Sequence, residues 1–382
     1  MHHGLARSIR LGAIVAMLLA FDRPVPAEEP NSSLADELED KGCQLIRQDG
    51  YVISVAIAGA ASDADVAKLG GFQELRSVSL AGDGLTLQSV RSIAKIDGVT
   101  ALGLSLESLD SSWLEAVSDC HQLTSIGISS RSENSFDDMG LAQLSKLRKL
   151  VRLSLLGRGI SVAAMEQIGE LKSLENLELI VGNVPDASLR PIGNLPRLES
   201  LLVSSTQLTG AGLRNLETAT QLRDLTIWFA DIDTAGAQSL ANMPALRTLV
   251  LVEANVSDED VELIVENEFL ELLSLSGHRL TNYSHRHRPG TPLVSRPSNR
   301  MPLPNRITDQ SLPSIARSAS LRELDLSGTS ITDASVVQLA RMKSLRKLNV
   351  RGTSLTASGV RRLKNALKDT EIAHDEAEQS CR

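Results

Sequence analysis

At 382 residues with 42% hydrophobic but only 2% aromatic side chains, the chain is long enough for two or three ordinary domains, yet it lacks the rings that usually fill large cores. A formal charge of −8 excludes general affinity for nucleic acid. Three cysteines (Cys43, Cys120 and Cys381) make no disulfide framework, and Cys120 falls where comparable segments carry Leu or Met, a core position.

Residues 1–27 read as a secretory signal peptide. Arg7 and Arg10 precede the apolar run Leu11–Phe21, and Val25-Pro26-Ala27 offers a small-residue cleavage site. A membrane anchor competes with this reading, but eleven residues are too few to cross a bilayer. Cleavage removes three Arg and one Asp, so the mature chain carries −10 and has no membrane span. Export to the periplasm or the medium is the expectation.

Residues 28–51 form an N-terminal cap. Ser33–Arg47 is expected as an amphipathic helix with Leu34, Leu38, Leu45 and Ile46 toward the core, leading through Gly50 into a strand at Val52–Ile57. From there to residue 374 one unit recurs, best seen in Leu321–Leu345. Apolar residues stand at its first, fourth and sixth positions (Leu321, Leu324, Leu326). A Ser-Gly-Thr turn follows, then Ile331 at position eleven. Thr332-Asp333 supplies cap oxygens, and Val336, Leu339 and Met342 recur at helical spacing. Each copy therefore predicts a strand, a turn and a helix. One copy cannot bury its apolar face alone, so the copies must stack.

Strands are expected to open at Val52, Leu75, Val99, Leu123, Leu150, Leu174, Leu198, Leu222, Leu246, Leu270, Leu321 and Leu345, mostly 24 residues apart. The Val52 step is one residue short and the Leu123 step three long. Asp369–His374 reads as a last half-unit with Ile372 at position four, followed by a polar tail at 375–382.

The runs LRSVSL, LVRLSL, LENLEL, LRDLTI, LRTLVL, LRELDL and LRKLNV, with GTSITDASV and GTSLTASGV after the last two, resemble the leucine-rich-repeat family over residues 52–374. Thr at position nine is similar to bacterial exported members and to the repeat arrays of F-box receptors. The resemblance implies an α/β solenoid of about twelve turns, a right-handed arc with a parallel sheet on the concave side and helices on the convex side. It also implies protein or peptide binding as the usual role. No F-box-like segment precedes the repeats, so a ubiquitin-ligase role has no support.

Positions one, four and six of each strand point into the core, which leaves three, five and seven for the groove. At about 4.8 Å per strand, twelve turns give a sheet roughly 55 Å long. Position seven reads Leu156, Ile180, Ser204, Trp228, Val252 and Ser276, position five adds Leu202 and Val250, and position three adds Leu272. An exposed patch of this kind predicts a binding surface anchored on Trp228 and oriented by Glu178 and Asp224. Two competing readings are that the wall covers itself, or that the insertion lies over it.

The Leu270 unit is 51 residues long, an excess of 27 over 24. Both Leu280-Thr281-Asn282 and Ile307-Thr308-Asp309 match the turn-to-helix junction, which places the insertion at 281–307. It holds five Pro, two His and no acid, together with Arg286, Arg288, Arg296, Arg300 and Arg306. The alternative function is therefore that of an envelope-associated protein binding an acidic polymer through this basic loop. Folding back over the acidic body, or no role at all, are the competing readings. His278, His285 and His287 have no spacing that fixes a metal site.

Asp138, Asp186, Asp233, Asp258, Asp309 and Asp333 recur at helix starts, which points to capping rather than to calcium. No nucleophile–base pair or phosphate loop stands out, so no enzyme activity, catalytic residue or cofactor is expected. The expectation is a monomeric, exported binding protein.

Overall fold

A computed structural model describes residues 31–82, 84–106, 110–130, 136, 138–277 and 303–375. It divides into two compact units, the first ending at Val181 and the second beginning at Gly182.

The first unit opens with a helix at Ser32–Asp40, then strands β1 (Gln44–Gln48) and β2 (Tyr51–Ile57). The expected helix to Arg47 is thus halved. Gly42 takes φ +89°, a left-handed conformation that ends the helix and frees Leu45 and Ile46 to enter a strand. Ile46 is exposed there, not in the core. Asp49 and Gly50, at φ +53° and +84°, make the tight turn that pairs β1 with β2 antiparallel. The sheet is therefore parallel only from β2 onward. Strands β3 (Ser77–Ala81), β4 (Ala101–Leu106), β5 (Ser125–Ser130), β6 (Arg152–Gly157) and β7 (Asn176–Val181) follow in sequence order.

The second unit repeats the scheme. Its strands are β8 (Ser200–Ser204), β9 (Asp224–Trp228), β10 (Thr248–Val252), β11 (Leu272–Ser274), β12 (Glu323–Asp325), β13 (Lys347–Asn349) and β14 (Glu371–Ala373), all parallel. From β2 to β13 each strand is followed by a short helix or helical turn. The core lies between sheet and helices, because positions one, four and six are buried throughout. Leu222, Leu225 and Ile227 are fully enclosed, as is Leu249. Cys120 is likewise buried, and its enclosure pushes the thiol up to about 12.

The acids at the helix starts do more than cap. The Thr332 amide and hydroxyl donate to Asp309 at 2.8 and 2.6 Å, and Thr356 donates in the same way to Asp333. Asp186 receives Thr209, and Asp258 receives Thr308. In the first unit, Asp138 accepts the Ser161 hydroxyl. Each of these carboxylates reaches the next repeat's cap residue, while that Thr or Ser caps its own helix, as Thr332 does for the Ala334 amide. Burial pushes the Asp309 carboxyl up, but hydrogen bonds from Ser335 and Thr332 outweigh it and hold the group below its ordinary range. Asp233 alone of the six is an N-cap in its own right, accepting the Gly236 amide at 2.9 Å.

The insertion begins and ends elsewhere than the sequence pattern placed it. Gly277 is followed, in the repeat frame, by Asn305, Arg306 and Ile307 at positions nine, ten and eleven. The Arg306 amide donates to the Val256 carbonyl at 2.7 Å, and Ile307 is fully buried. The 27 extra residues are therefore 278–304, not 281–307. Asn305 decides this. Its buried side chain accepts from the Ala254 and Val256 amides and donates to the Leu251 and Ser276 carbonyls. His278, in the competing match, has no carbonyl oxygen with which to make that pattern.

Candidate binding surface

The seven residues expected to line a groove divide between the units. In the first, Leu156 and Ile180 are register partners on β6 and β7; Leu156 is half-buried and Ile180 buried. In the second, register aligns Leu202, Thr226, Val250 and Ser274 across four strands, and Ser204, Trp228 and Val252 across three. Leu272 is half-buried beside Thr248.

The expectation of an exposed apolar patch does not hold. Trp228 is 3% exposed, Val252 is fully enclosed, and Leu202 and Val250 are each 5% exposed. Alternation along a strand fixes which face a side chain occupies, not whether that face is open. Ser204 beside Trp228 leaves lateral room for an indole. These residues form a closed floor in the second unit.

The backbone just after that floor is strained. Phe229, Glu253 and Asn255 take φ of +64°, +49° and +58°. Phe229 and Glu253 stand at position eight, which Gly328 and Gly352 hold at +68° and +65° in later repeats. Non-glycine residues in this region cost roughly 1–3 kcal/mol each and cluster at functional sites. The Phe229 amide donates to the Val252 carbonyl at 3.0 Å, and the Asn255 side chain donates to Asp231 at 2.8 Å, which holds the turns in place. Sequence comparison at position eight could have shown this feature, since Gly gives way to Phe and Glu.

Around the floor the accessible groups are polar except Leu272. Asp224, at position three of β9, is exposed, and Thr248 and Leu272 follow it on β10 and β11 half-buried. One position earlier, Arg223, Arg247 and Glu271 are exposed, the last two paired at 3.0 Å. In the first unit Glu178 is half-buried.

Of the basic-loop residues only Arg306 is described; it is exposed, but its backbone belongs to the repeat frame. Arg286, Arg288, Arg296 and Arg300 lie outside the described residues, as do His278, His285, His287, the signal peptide and the end of the polar tail. Among the described residues no group of three or more His, Cys, Asp or Glu could hold a metal ion. No described helix is long and apolar enough to cross a membrane.

Residues 317–340 match the family model described as a leucine-rich repeat. The unit that this model describes recurs through both halves of the structure, and the fold is that of a leucine-rich-repeat solenoid. A search of curated proteins found no match. Solved structures with similar architecture include an internalin, InlF, of Listeria monocytogenes, at 15% identity and a TM-score of 0.49, covering 95% of this chain and 100% of that one. A yeast Rad7–Elc1 complex matches at 12% identity and 0.49, covering 92% and 85%. A Leptospira interrogans leucine-rich-repeat protein matches at 15% and 0.32, covering 80% and 91%. Nothing about function carries over at these values.

Proposed function

We propose that the chain is an exported, non-enzymatic binding protein that takes a protein or peptide on the outer sheet face of its second unit. The observation that carries this reading is the pairing of a closed, rigid floor with an accessible polar row above it. The floor is Leu202, Trp228, Val250 and Val252; the polar row is Asp224 and Thr248, with Arg247 and Glu271 beside them and Leu272 at its end. Contact groups held by packed neighbours recognise a partner at low ordering cost. Trp228 then acts by supporting the row rather than by inserting into the ligand. Strained turns at Phe229, Glu253 and Asn255 lie at the same strand ends and fit a site where side chains matter more than backbone ease.

The test is affinity capture from the exported fraction with the parent chain and with Asp224→Lys. A partner held by the parent and lost by a variant of unchanged melting temperature supports the reading. Equal capture by both, with loss on Arg296→Ala instead, moves the function to the basic loop. Export itself is tested by sequencing the mature N-terminus, expected at Glu28.

A further inference from the structure

Charge in the second unit is unevenly distributed along the chain. Residues 182–277 hold fourteen Asp and Glu against five Lys and Arg, whereas residues 303–375 hold seven against twelve. The last helix, Ala357–Ala366, carries three of the twelve, Arg361, Arg362 and Lys364, and no acid. A cavity of about 440 Å³ opens at this end of the unit, within the size range of ligand pockets.

Its lining has an apolar side and a cationic side. Val350, Leu355 and Val360 stand at positions six, eleven and sixteen of the last full repeat, where each inner repeat is covered by the next. The half-unit that follows supplies Ile372 at position four and His374 at position six, which puts an imidazole where the full repeats carry an aliphatic side chain. Arg361 and Lys364, one helical turn apart, form the cationic side. The His374 ring is fixed by two contacts: Nδ1–H donates to the Asp375 carbonyl at 2.7 Å, and Nε2 accepts from Lys364 Nζ at 2.8 Å. Lys364 keeps two donors beyond that bond. Arg361 has no hydrogen-bond or ion-pair partner among the described residues. Among the described residues of the lining the one carboxylate, Asp375, accepts the Gly352 amide at 2.6 Å.

We propose that this cavity binds a carboxylate carried on a small aliphatic body, with Arg361 and Lys364 taking the carboxylate and half-buried Leu355, backed by the buried Val350 and Val360, the hydrocarbon. An inorganic anion would leave the apolar side unmatched, and a neutral hydrocarbon would leave the Arg361 fork unpaired. The last residue of a peptide and a free branched-chain acid share this chemistry.

The experiment is calorimetric titration of the full chain with N-acetyl-Ala-Val-Leu as free acid, with its C-terminal amide, and with 4-methylpentanoate. The free acid should bind at least about tenfold tighter than the amide, because only the acid makes charge-assisted bonds. Arg361→Gln and Lys364→Gln should each weaken it about tenfold, while Arg362→Gln on the same helix should not. If 4-methylpentanoate matches the peptide acid, the site reads a free carboxylate; if it binds more weakly, the site reads a peptide end. Either result keeps the proposal. Equal binding of acid and amide, no saturable binding by any of the three, or equal loss with Arg362→Gln would overturn it.

Discussion

The side-chain amide of Asn305 donates to the Ser276 carbonyl at 3.2 Å, although 29 residues separate the two along the chain. The same amide group reaches the Leu251 carbonyl at 2.8 Å, and its oxygen takes the amides of Ala254 and Val256. One side chain thus rejoins a repeat that the insertion divides.

Excision of residues 278–304 should therefore leave a stable protein. It joins Gly277 to Asn305 and writes LSLSG-NRITD, an uninterrupted repeat. An insertion of this length adds little closure entropy, so the melting temperature should hold or rise slightly. Loss of cooperative melting would show that the excised residues support the stack. Removing 281–307 instead takes Asn305 away and should be severely destabilising.

Asn305→Ala strips partners from two buried amides and two carbonyls. Each buried unsatisfied group costs about 1–3 kcal/mol, and some will find water, so a loss of about 3 kcal/mol or more is expected by chemical denaturation. A loss under about 1 kcal/mol would mean that the network is solvated.

Trp228→Ala should lower stability by about 3–5 kcal/mol, the usual range for emptying a buried aromatic site. An exposed anchor would instead weaken ligand binding and leave melting untouched. Denaturation of the free protein separates the two, since the 3% exposure of this side chain predicts the first.

Asp65 gives an acid-side dependence. Burial raises its pKa, but the Lys41 ammonium and the Ser62 amide and hydroxyl overcome that and hold it at about 2, against an ordinary 3.8. A depressed carboxylate contributes stability that is present above the unfolded value and lost as pH falls from about 4 toward about 2. Asp65→Asn should flatten the stability profile across that window and lower stability at neutral pH. An unchanged acid limb would remove Asp65 from the cap's charge network.

The repeat was legible because it rests on a period that few other folds produce. Leu222, Leu225 and Ile227 could be placed in the core from spacing alone. Two errors have specific physical sources. Leu45 and Ile46 fit a helical stripe, but Gly42 in the left-handed region outweighed that pattern. The insertion had two matching ends, and the apolar residue at position eleven could not choose between them. Asn305 could, because only its amide both accepts from and donates to the neighbouring backbone. The groove was misread for a different reason: sequence assigns Trp228 to a face, and only three-dimensional crowding shows that the face is closed there.

The turn after Trp228 has an evolutionary implication. At position eight, Gly328 and Gly352 reach positive φ without penalty, whereas Phe229 and Glu253 reach it under strain. Glycine would relieve that backbone at both places, but Phe229 is buried, and losing its ring at about 3–5 kcal/mol outweighs a relief of about 1–3 kcal/mol. A library selected for thermal survival should therefore keep an aromatic ring at 229 at the expense of the turn, so that packing there sets which codon survives.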